Sequence, residues 1–506
     1  MDRSIRRLGV FLMLCFCALF VQLNYIQVLN AKDLNTKPSN DRAIVQAFSK
    51  PRGTMATADG VLLARSVATN DRFQYQRVYP EGELYAALTG FFNYSRGATG
   101  LERAYNEELS GRTAKQQVRQ VGDLFVTKDR TGNLTLSVRS DIQKVAKQAL
   151  AGQKGSVVAL DPRTGEILAL YSNPSYDPNV LASHDFDRSE AAYKLLDAAE
   201  GNPLLPKAYR EVYPPGSTFK VVTGSNGVER GGVTPTEPVY PTIRALNVPG
   251  TSKDLANFAH ELCGGTLFHI LAKSCNTSFA QMGLDLGAEK MVAGTEAFGF
   301  NSIPPFDLPA VASQFPTDFT RDQPALAQAS IGQNSTAATP LQMALVAAGV
   351  ANDGVIMEPH VVSEIRDGEG DLVKGFDPTQ WKRATSPQTA DLMRQAMREA
   401  VSNGTATRLQ IPGLDVGAKT GTAQFGPISP LRSHAWVICW AGQPGQPASI
   451  AVAVIVEDQS GAAEGTGGRV AAPIAKQVIE QSMKPMPAPP ADTSSSTTTT
   501  STGAGN

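Results

Sequence analysis

The chain has 506 residues, too many for one hydrophobic core, so two or three domains are expected. A hydrophobic fraction of 42%, a charged fraction of 18% and a net charge of −1 describe a globular protein and give no basic excess of the kind that marks a nucleic-acid binder. The five histidines are scattered and form no HExxH or other close-set ligand pattern, which argues against a metal enzyme.

The first element is an apolar run from Leu8 to Leu29, 22 residues long, preceded by Arg3, Arg6 and Arg7. At about 1.5 Å per residue such a helix spans a hydrocarbon core of roughly 30 Å. Arginines before the run, with no matching basic cluster directly after it, place residues 1–7 in the cytoplasm and the rest outside. A cleaved signal peptide is the competing reading, but "QVLNAKD" offers no small-x-small cleavage site, so a retained anchor over 8–29 is expected. Gln22, Asn24 and Gln27 weaken its last turns. Of the three cysteines beyond the anchor, at most one pair can form. Cys263 and Cys275 are closest in sequence; the alternative is three buried free thiols, Cys439 included.

Residues 30–154 read as a smaller α+β domain. A polar lead from Asn30 to about Lys50 is followed by a short strand in "GVLLA" after the Asp59–Gly60 turn. Helical spacing follows over Glu83–Phe92. Asn133–Leu150 starts as an alternating strand and enters a helix capped by Ser140 or Asp141. From Gly155 the pattern changes to a hairpin, with strands Ser156–Leu160 and Glu166–Tyr171 around a turn at Asp161–Gly165. A mostly helical region, about Arg188–Val401, is broken by Gly and Pro. Strand patterns then return at Leu414–Gln424, His434–Gly442 and Ser449–Asp458, and Gly467–Met483 closes with an apolar helical face. Two strands, a helical insertion, three strands and a helix make an α+β domain over 155–484, with an antiparallel sheet and helices on its faces. The Pro/Ser/Thr-rich stretch 485–506 has too little apolar content to bury a core and reads as a disordered tail.

Three short elements carry chemistry. In "VYPPGSTFKVV" two prolines and a glycine force a turn, so Ser217 stands at a helix start with Lys220 on the same face. A serine hydroxyl needs a neighbouring base, and Lys220 among Phe219, Val221 and Val222 is desolvated toward the neutral amine. Alone, this element reads equally as a serine N-cap followed by an ordinary lysine. "KSCNTSF" holds the chain's one Ser-x-Asn, Ser274 and Asn276, which alone reads as a cap and turn. "AKTGTAQ" holds its one Lys-Thr-Gly, Lys419–Thr420–Gly421, in a strand-like run where glycine marks close approach of another backbone or a ligand; alone it reads equally as a strand with a bulge. Taken together and in this order, with 57 residues from Ser217 to Ser274 and 143 from Asn276 to Lys419, they form the motif set of the penicillin-recognising serine acyltransferases.

The resemblance extends further. "GSVVALDPRTGEILALYSNPSYDPN" (Gly155–Asn179) looks like the start of a class B penicillin-binding protein's transpeptidase domain, and "SIGQNSTAATPLQMALVAAGVANDG" (Ser330–Gly354) is similar to that family's stretch between SxN and KTG. "PRGTMATADGVLLA" and "GATGLERAYNEELSG" (Gly97–Gly111) resemble its non-catalytic pedestal. The short pedestal and the lack of appended C-terminal modules look most like the actinobacterial penicillin-binding protein A group. The resemblance implies a five-stranded antiparallel sheet flanked by helices, plus an all-helical subdomain. It implies a D,D-transpeptidase acting on peptidoglycan stem peptides that end in D-Ala-D-Ala, with no cofactor or metal.

The same resemblance assigns roles. Ser217 is the nucleophile and Lys220 its base. Ser274 relays a proton to the leaving nitrogen, and Asn276 holds the peptide amide and positions Lys220. Lys419, Thr420 and Thr422 bind the terminal carboxylate beside Gly421, and the N–H groups of Ser217 and Thr422 form the oxyanion hole. β-Lactams would acylate Ser217 in the same way. No convincing ExxLN-like element follows SxN, which argues against a class A β-lactamase, and a class D-like β-lactamase or sensor would not need the pedestal. A D,D-carboxypeptidase and a catalytically silent scaffold of the cell-wall machinery stay open as alternatives. No glycosyltransferase region is recognisable, so a membrane glycosyltransferase partner of the SEDS type is implied.

Overall fold

The computed structural model describes residues 2–25, 48–113, 116, 131–319, 322–425, 432–460 and 465–489. Its contacts divide into two units: Met1–Pro51 with Ser66–Gln76, and Arg52–Arg65 with Arg77–Asn506. The first unit contains helix α1 (Asp2–Asn24), whose stretch Ile5–Asn24 is long and apolar enough to cross a membrane and is unburied throughout. The helix thus begins before the apolar run, and positions 26–29 of the expected anchor lie outside the described residues. So do 30–47 of the polar lead and 490–506 of the expected tail. In the same unit Phe48 and Phe73 meet edge to face at 5.6 Å.

The second unit opens with strand β1 (Met55–Ala56) and Leu62–Arg65 of strand β2 (Leu62–Ala68), then β3 (Asn133–Leu136) and helix α2 (Ser140–Leu150). The helical spacing expected over 83–92 yields only two single turns, Gly82–Leu84 and Ala86–Thr89, because the chain turns left-handed at Gly90. The cap of α2 is neither Ser140 nor Asp141. The Asp59 carboxylate, 81 residues away, accepts from the Ser140 N–H at 2.9 Å and its hydroxyl at 2.5 Å. A distant carboxylate thereby satisfies the free donors at the helix start.

The hairpin is β4 (Gly155–Leu160) and β5 (Ile167–Asn173). Helices α3 (Lys220–Gly231), α4 (Leu267–Lys273), α5 (Asn276–Ala297) and α6 (Pro340–Ala351) follow. Two strands the sequence patterns did not reveal come next, β6 (Val362–Arg366) and β7 (Leu372–Gly375), then α7 (Pro387–Ser402). The chain ends in β8 (Asp415–Phe425), β9 (Arg432–Gly442), β10 (Ile450–Ser460) and α8 (Ala471–Ser482).

The central sheet is antiparallel with order β8-β9-β10-β4-β5, so the N-terminal hairpin adds to the far side of the C-terminal meander. β4 is buried at every position, and so is β9 after Arg432, as expected of strands covered on both faces. The wholly buried α6 packs on β9, β10 and β4, and α8 packs on β9 and β10 and against α2. β8 forms the edge, in unbroken register with β9 from Asp415↔Gly442 to Phe425↔Arg432. The second sheet contains the run β7-β6-β3-β1-β2. β6 pairs with β3 through Val362↔Leu136 and Ile365↔Leu134, so residues after 360 complete a sheet begun before residue 154. Backbone hydrogen bonds between β6 and β3 therefore cross the expected boundary at 154/155.

Candidate active site

Tyr213–Lys220 is held on several sides before any chemistry is considered. Gly216 has φ 54°, a left-handed conformation open to glycine at little cost, and its N–H bonds the Gly332 carbonyl at 2.9 Å. The Trp436 indole donates to the Pro214 carbonyl at 3.1 Å, and Thr218 Oγ1 donates to that of Pro215 at 2.7 Å. The helix expected to begin at Ser217 begins instead as a 3₁₀ turn, Gly216–Phe219, that passes into α3 at Lys220. Neither segment has a side-chain cap, so the N-cap reading of Ser217 is removed. In a 3₁₀ turn residues i and i+3 eclipse, which places Ser217 and Lys220 one above the other. Thr218, Phe219 and Lys220 are buried while Ser217 is partly exposed, so the hydroxyl is the reachable member.

Ser274 and Asn276 lie where α4 gives way to α5. Ser274 takes the left-handed conformation that ends α4, with φ 62°, and Asn276 starts α5. Lys220 Nζ lies 2.6 Å from Asn276 Oδ1, 2.7 Å from the Ser274 carbonyl oxygen and 3.3 Å from Ser274 Oγ. Lys419, on β8, donates to the same Ser274 Oγ at 2.9 Å and to the Thr420 carbonyl at 2.7 Å. Ser274 Oγ thus joins two lysines that are 199 positions apart in the chain. Gly421 brings β8 against the nucleophile turn: a Cβ there would stand 3.0 Å from the Pro215 carbonyl and 3.0 Å from Thr218 Cγ2. The bulge reading of this glycine is replaced by close approach of two backbones.

Both lysines are fully buried. Burial, and after it the nearby Lys419 charge, pushes the Lys220 amine well below its ordinary range. Burial alone brings Lys419 down to about 7. Among the described residues neither lysine forms an ion pair, so no opposite charge offsets the desolvation. The site can therefore hold a neutral amine beside a partly exposed serine hydroxyl, with a second proton carrier one hydroxyl away. No group of three or more His, Cys, Asp or Glu arranged to hold a metal occurs among the described residues.

The structure thus gathers Lys220, Ser274, Asn276 and Lys419 into one hydrogen-bonded cluster, and the turn that carries Ser217 packs on β8 at Gly421. Thr422 is partly exposed on β8. Cys263 and Cys275 are joined by a disulfide with Cα atoms 5.4 Å apart, which ties the middle residue of Ser-x-Asn to the strand Cys263–Gly265. Cys439 is a buried free thiol in β9, pushed up by burial. Residues the sequence did not single out complete the surround. The Ala256 carbonyl accepts from Asn276 Nδ2 at 3.0 Å, Asn257 Oδ1 accepts from the Thr277 N–H at 3.0 Å, and Thr405 meets Thr420 at 2.6 Å. None stands in a motif, so no signal in a single sequence marks them.

Comparison with known proteins agrees with this geometry. Residues 155–480 match the family described as penicillin binding protein transpeptidase domain, and residues 52–134 match the penicillin binding protein A dimerisation domain. The peptidoglycan D,D-transpeptidase PbpA of Mycolicibacterium smegmatis is 38% identical over 496 residues, covering 96% of this chain and 99% of that protein. The PbpA of Mycobacterium tuberculosis is 38% identical over 505 residues, covering 96% and 100%. Among solved structures, the ceftriaxone acyl-enzyme complex of M. tuberculosis penicillin-binding protein A superposes with a TM-score of 0.80 at 37% identity, covering 87% of this chain and 100% of that one. The penicillin G acyl-enzyme complex of the same protein gives 0.79 at 38% identity, covering 86% and 100%.

Proposed function

From the premise that the chain belongs to the class B penicillin-binding proteins, we propose that it is a peptidoglycan D,D-transpeptidase that works through an acyl-enzyme on Ser217. The observation that carries the reading is the Lys220–Ser274–Lys419 cluster. Two buried amines converge on one hydroxyl next to a reachable serine.

Neutral Lys220 takes the Ser217 proton as Oγ attacks the carbonyl of the penultimate D-Ala. The oxyanion that forms is met by the backbone N–H groups of Ser217 and Thr422. Each such donor is typically worth about 3 kcal/mol of transition-state stabilisation. The C–N bond to the terminal D-Ala breaks, and the proton reaches its nitrogen through Ser274 Oγ, which leaves an ester on Ser217. The amine of a second stem peptide then attacks the ester, gives up its proton along the same path, and releases Ser217 with a new peptide bond. Asn276 holds Lys220 in place and presents its amide to the stem peptide. Lys419, Thr420 and Thr422 take the terminal carboxylate. A β-lactam reacts as the donor does, its ring C–N bond breaking while the leaving nitrogen stays tethered.

The reading includes α1 as a single-pass anchor that places the catalytic unit on the extracytoplasmic face, supported by its length, its apolar surface and the arginines before it. It includes a SEDS-type glycosyltransferase as the membrane partner that supplies glycan strands.

The test is turnover of a D-Ala-D-Ala or thioester donor with and without an amine acceptor, by wild type and Ser217→Ala. The expected result is acceptor-dependent amide product from wild type and none from the variant. Hydrolysis alone, unaffected by the acceptor, would replace transpeptidation with D,D-carboxypeptidation. No turnover and no binding of a fluorescent penicillin would make the chain a scaffold.

A further inference from the structure

Thr405 lies outside all three motifs, in the turn after α7, yet it connects two of them. Its N–H donates to the Ala272 carbonyl at 3.1 Å, and Lys273 Nζ donates to the Asn403 carbonyl at 2.8 Å. Residues 403–405 are thereby bound to the last turn of α4, directly before Ser274. On its other side Thr405 Oγ1 lies 2.6 Å from Thr420 Oγ1. The same turn is fixed below by Arg408, which donates to the Arg469 carbonyl at 3.0 Å.

Thr420 is almost fully buried, at 7% exposure, whereas Thr405 is exposed at the rim. A hydroxyl has one proton and two lone pairs. If Thr420 gives its one proton to an anionic ligand, Thr405 must be the donor in the 2.6 Å bond between the two hydroxyls. A hydroxyl polarised in this way is also a stronger donor in turn.

We propose that Thr405 is a positioning residue for carboxylate recognition. It donates to Thr420 Oγ1, turns the Thr420 proton into the cleft toward the ligand's carboxylate, and braces the Lys-Thr-Gly strand against the Ser-x-Asn junction. The inference rests on the reading of Lys419 and Thr420 as the carboxylate site. Its ligands are the acyl donors that carry a carboxylate next to the scissile amide, the stem-peptide terminus and the β-lactams alike.

The test compares second-order acylation rates of the full-length protein with benzylpenicillin and with its methyl ester, for wild type, Thr405→Val and Thr405→Ser. Wild type is expected to favour the free acid strongly. Thr405→Val should lose roughly five- to tenfold on the free acid, the worth of one hydrogen bond, with the ester rate within about twofold of wild type. Thr405→Ser, which keeps the donor, should restore the preference. A purely structural defect would lower both rates together, which overturns the proposal, as does a free-acid rate unchanged in Thr405→Val. A wild type indifferent to esterification would instead sink the carboxylate reading of Thr420, and this inference with it.

Discussion

Two buried charge clusters in the second unit make opposite use of the same desolvation. In the residues before 154, Glu102 is wholly buried between Arg52 and Arg77, with guanidinium contacts of 2.9 and 2.5 Å, and Tyr79 adds its hydroxyl at 3.3 Å. Burial pushes the Glu102 carboxyl up, but Arg77 and Arg52 more than offset this and hold it below its usual range. In the candidate site, Lys220 and Lys419 are buried without a carboxylate partner among the described residues, and both are pushed down. The first cluster keeps its charges and ties together Arg52, Arg77 and the Glu102 turn. The second gives up charge, as the base proposed for Lys220 requires. Paired buried ions serve cohesion, and unpaired buried amines serve chemistry.

Substitutions at the two clusters should have separate readouts. Lys220→Met, which keeps the length of the side chain, should lower β-lactam acylation by about 10²- to 10⁴-fold, the range of a lost general base, while the thermal unfolding midpoint stays at or above that of wild type. A large fall in that midpoint would show that Lys220 is structural after all. Glu102→Ala leaves two buried guanidiniums facing each other and should cost about 3–5 kcal/mol of stability, read by denaturant unfolding. Acylation by the molecules that stay folded should be unchanged within about twofold. A selective loss of acylation without loss of stability would erase the contrast between the clusters.

Cys263→Ser opens a covalent loop whose ends are 12 positions apart, and about 2–3 kcal/mol of stability should go with it. Because Cys275 lies between Ser274 and Asn276, acylation should also slow, and reduction of the wild type should reproduce both effects. Normal acylation in the reduced protein would restrict the disulfide to a stabilising role.

The last effect is in pH. Below about 7 Lys419 carries its proton and attracts a carboxylate; above about 7 it is neutral. The second-order acylation rate for a carboxylate-bearing β-lactam should therefore fall by up to about tenfold per pH unit above 7, a limb that reports the free enzyme. The same proton affects stability. The unfolded chain keeps it up to about 10.5, the folded chain loses it near 7, and between those values the folded state binds fewer protons. Wild type should accordingly gain stability relative to Lys419→Met as pH rises from 7 to 10. A flat difference across that window would mean that Lys419 titrates normally.

What was legible in the sequence follows from the same contrast. Ser217, Lys220, Ser274, Asn276 and Lys419 could be proposed from sequence because nucleophile, base and relay chemistry is tied to residue type, and each motif occurs once; the structure brings the last four into one cluster. The strands of the central sheet were legible from their long apolar runs, within two or three residues at each end for β4, β5 and β8 to β10. Strands β6 and β7, of five and four residues and half exposed, have no such pattern, so their return to the second sheet, begun before residue 154, was hidden. The Asp59 cap of α2, the Arg52–Glu102–Arg77 cluster and the Thr405–Thr420 contact join residues through tertiary packing alone. Spacing along a chain carries no record of such pairs.

The most direct test of the central claim, that a buried neutral Lys220 activates Ser217, is intact-mass spectrometry of the full-length protein after benzylpenicillin, followed by peptide mapping. Wild type should gain one penicilloyl group, mapped to Ser217. Lys220→Met, folded by its thermal midpoint, should remain unmodified over the same period. An adduct on another residue, or equal modification of folded Lys220→Met, would contradict it.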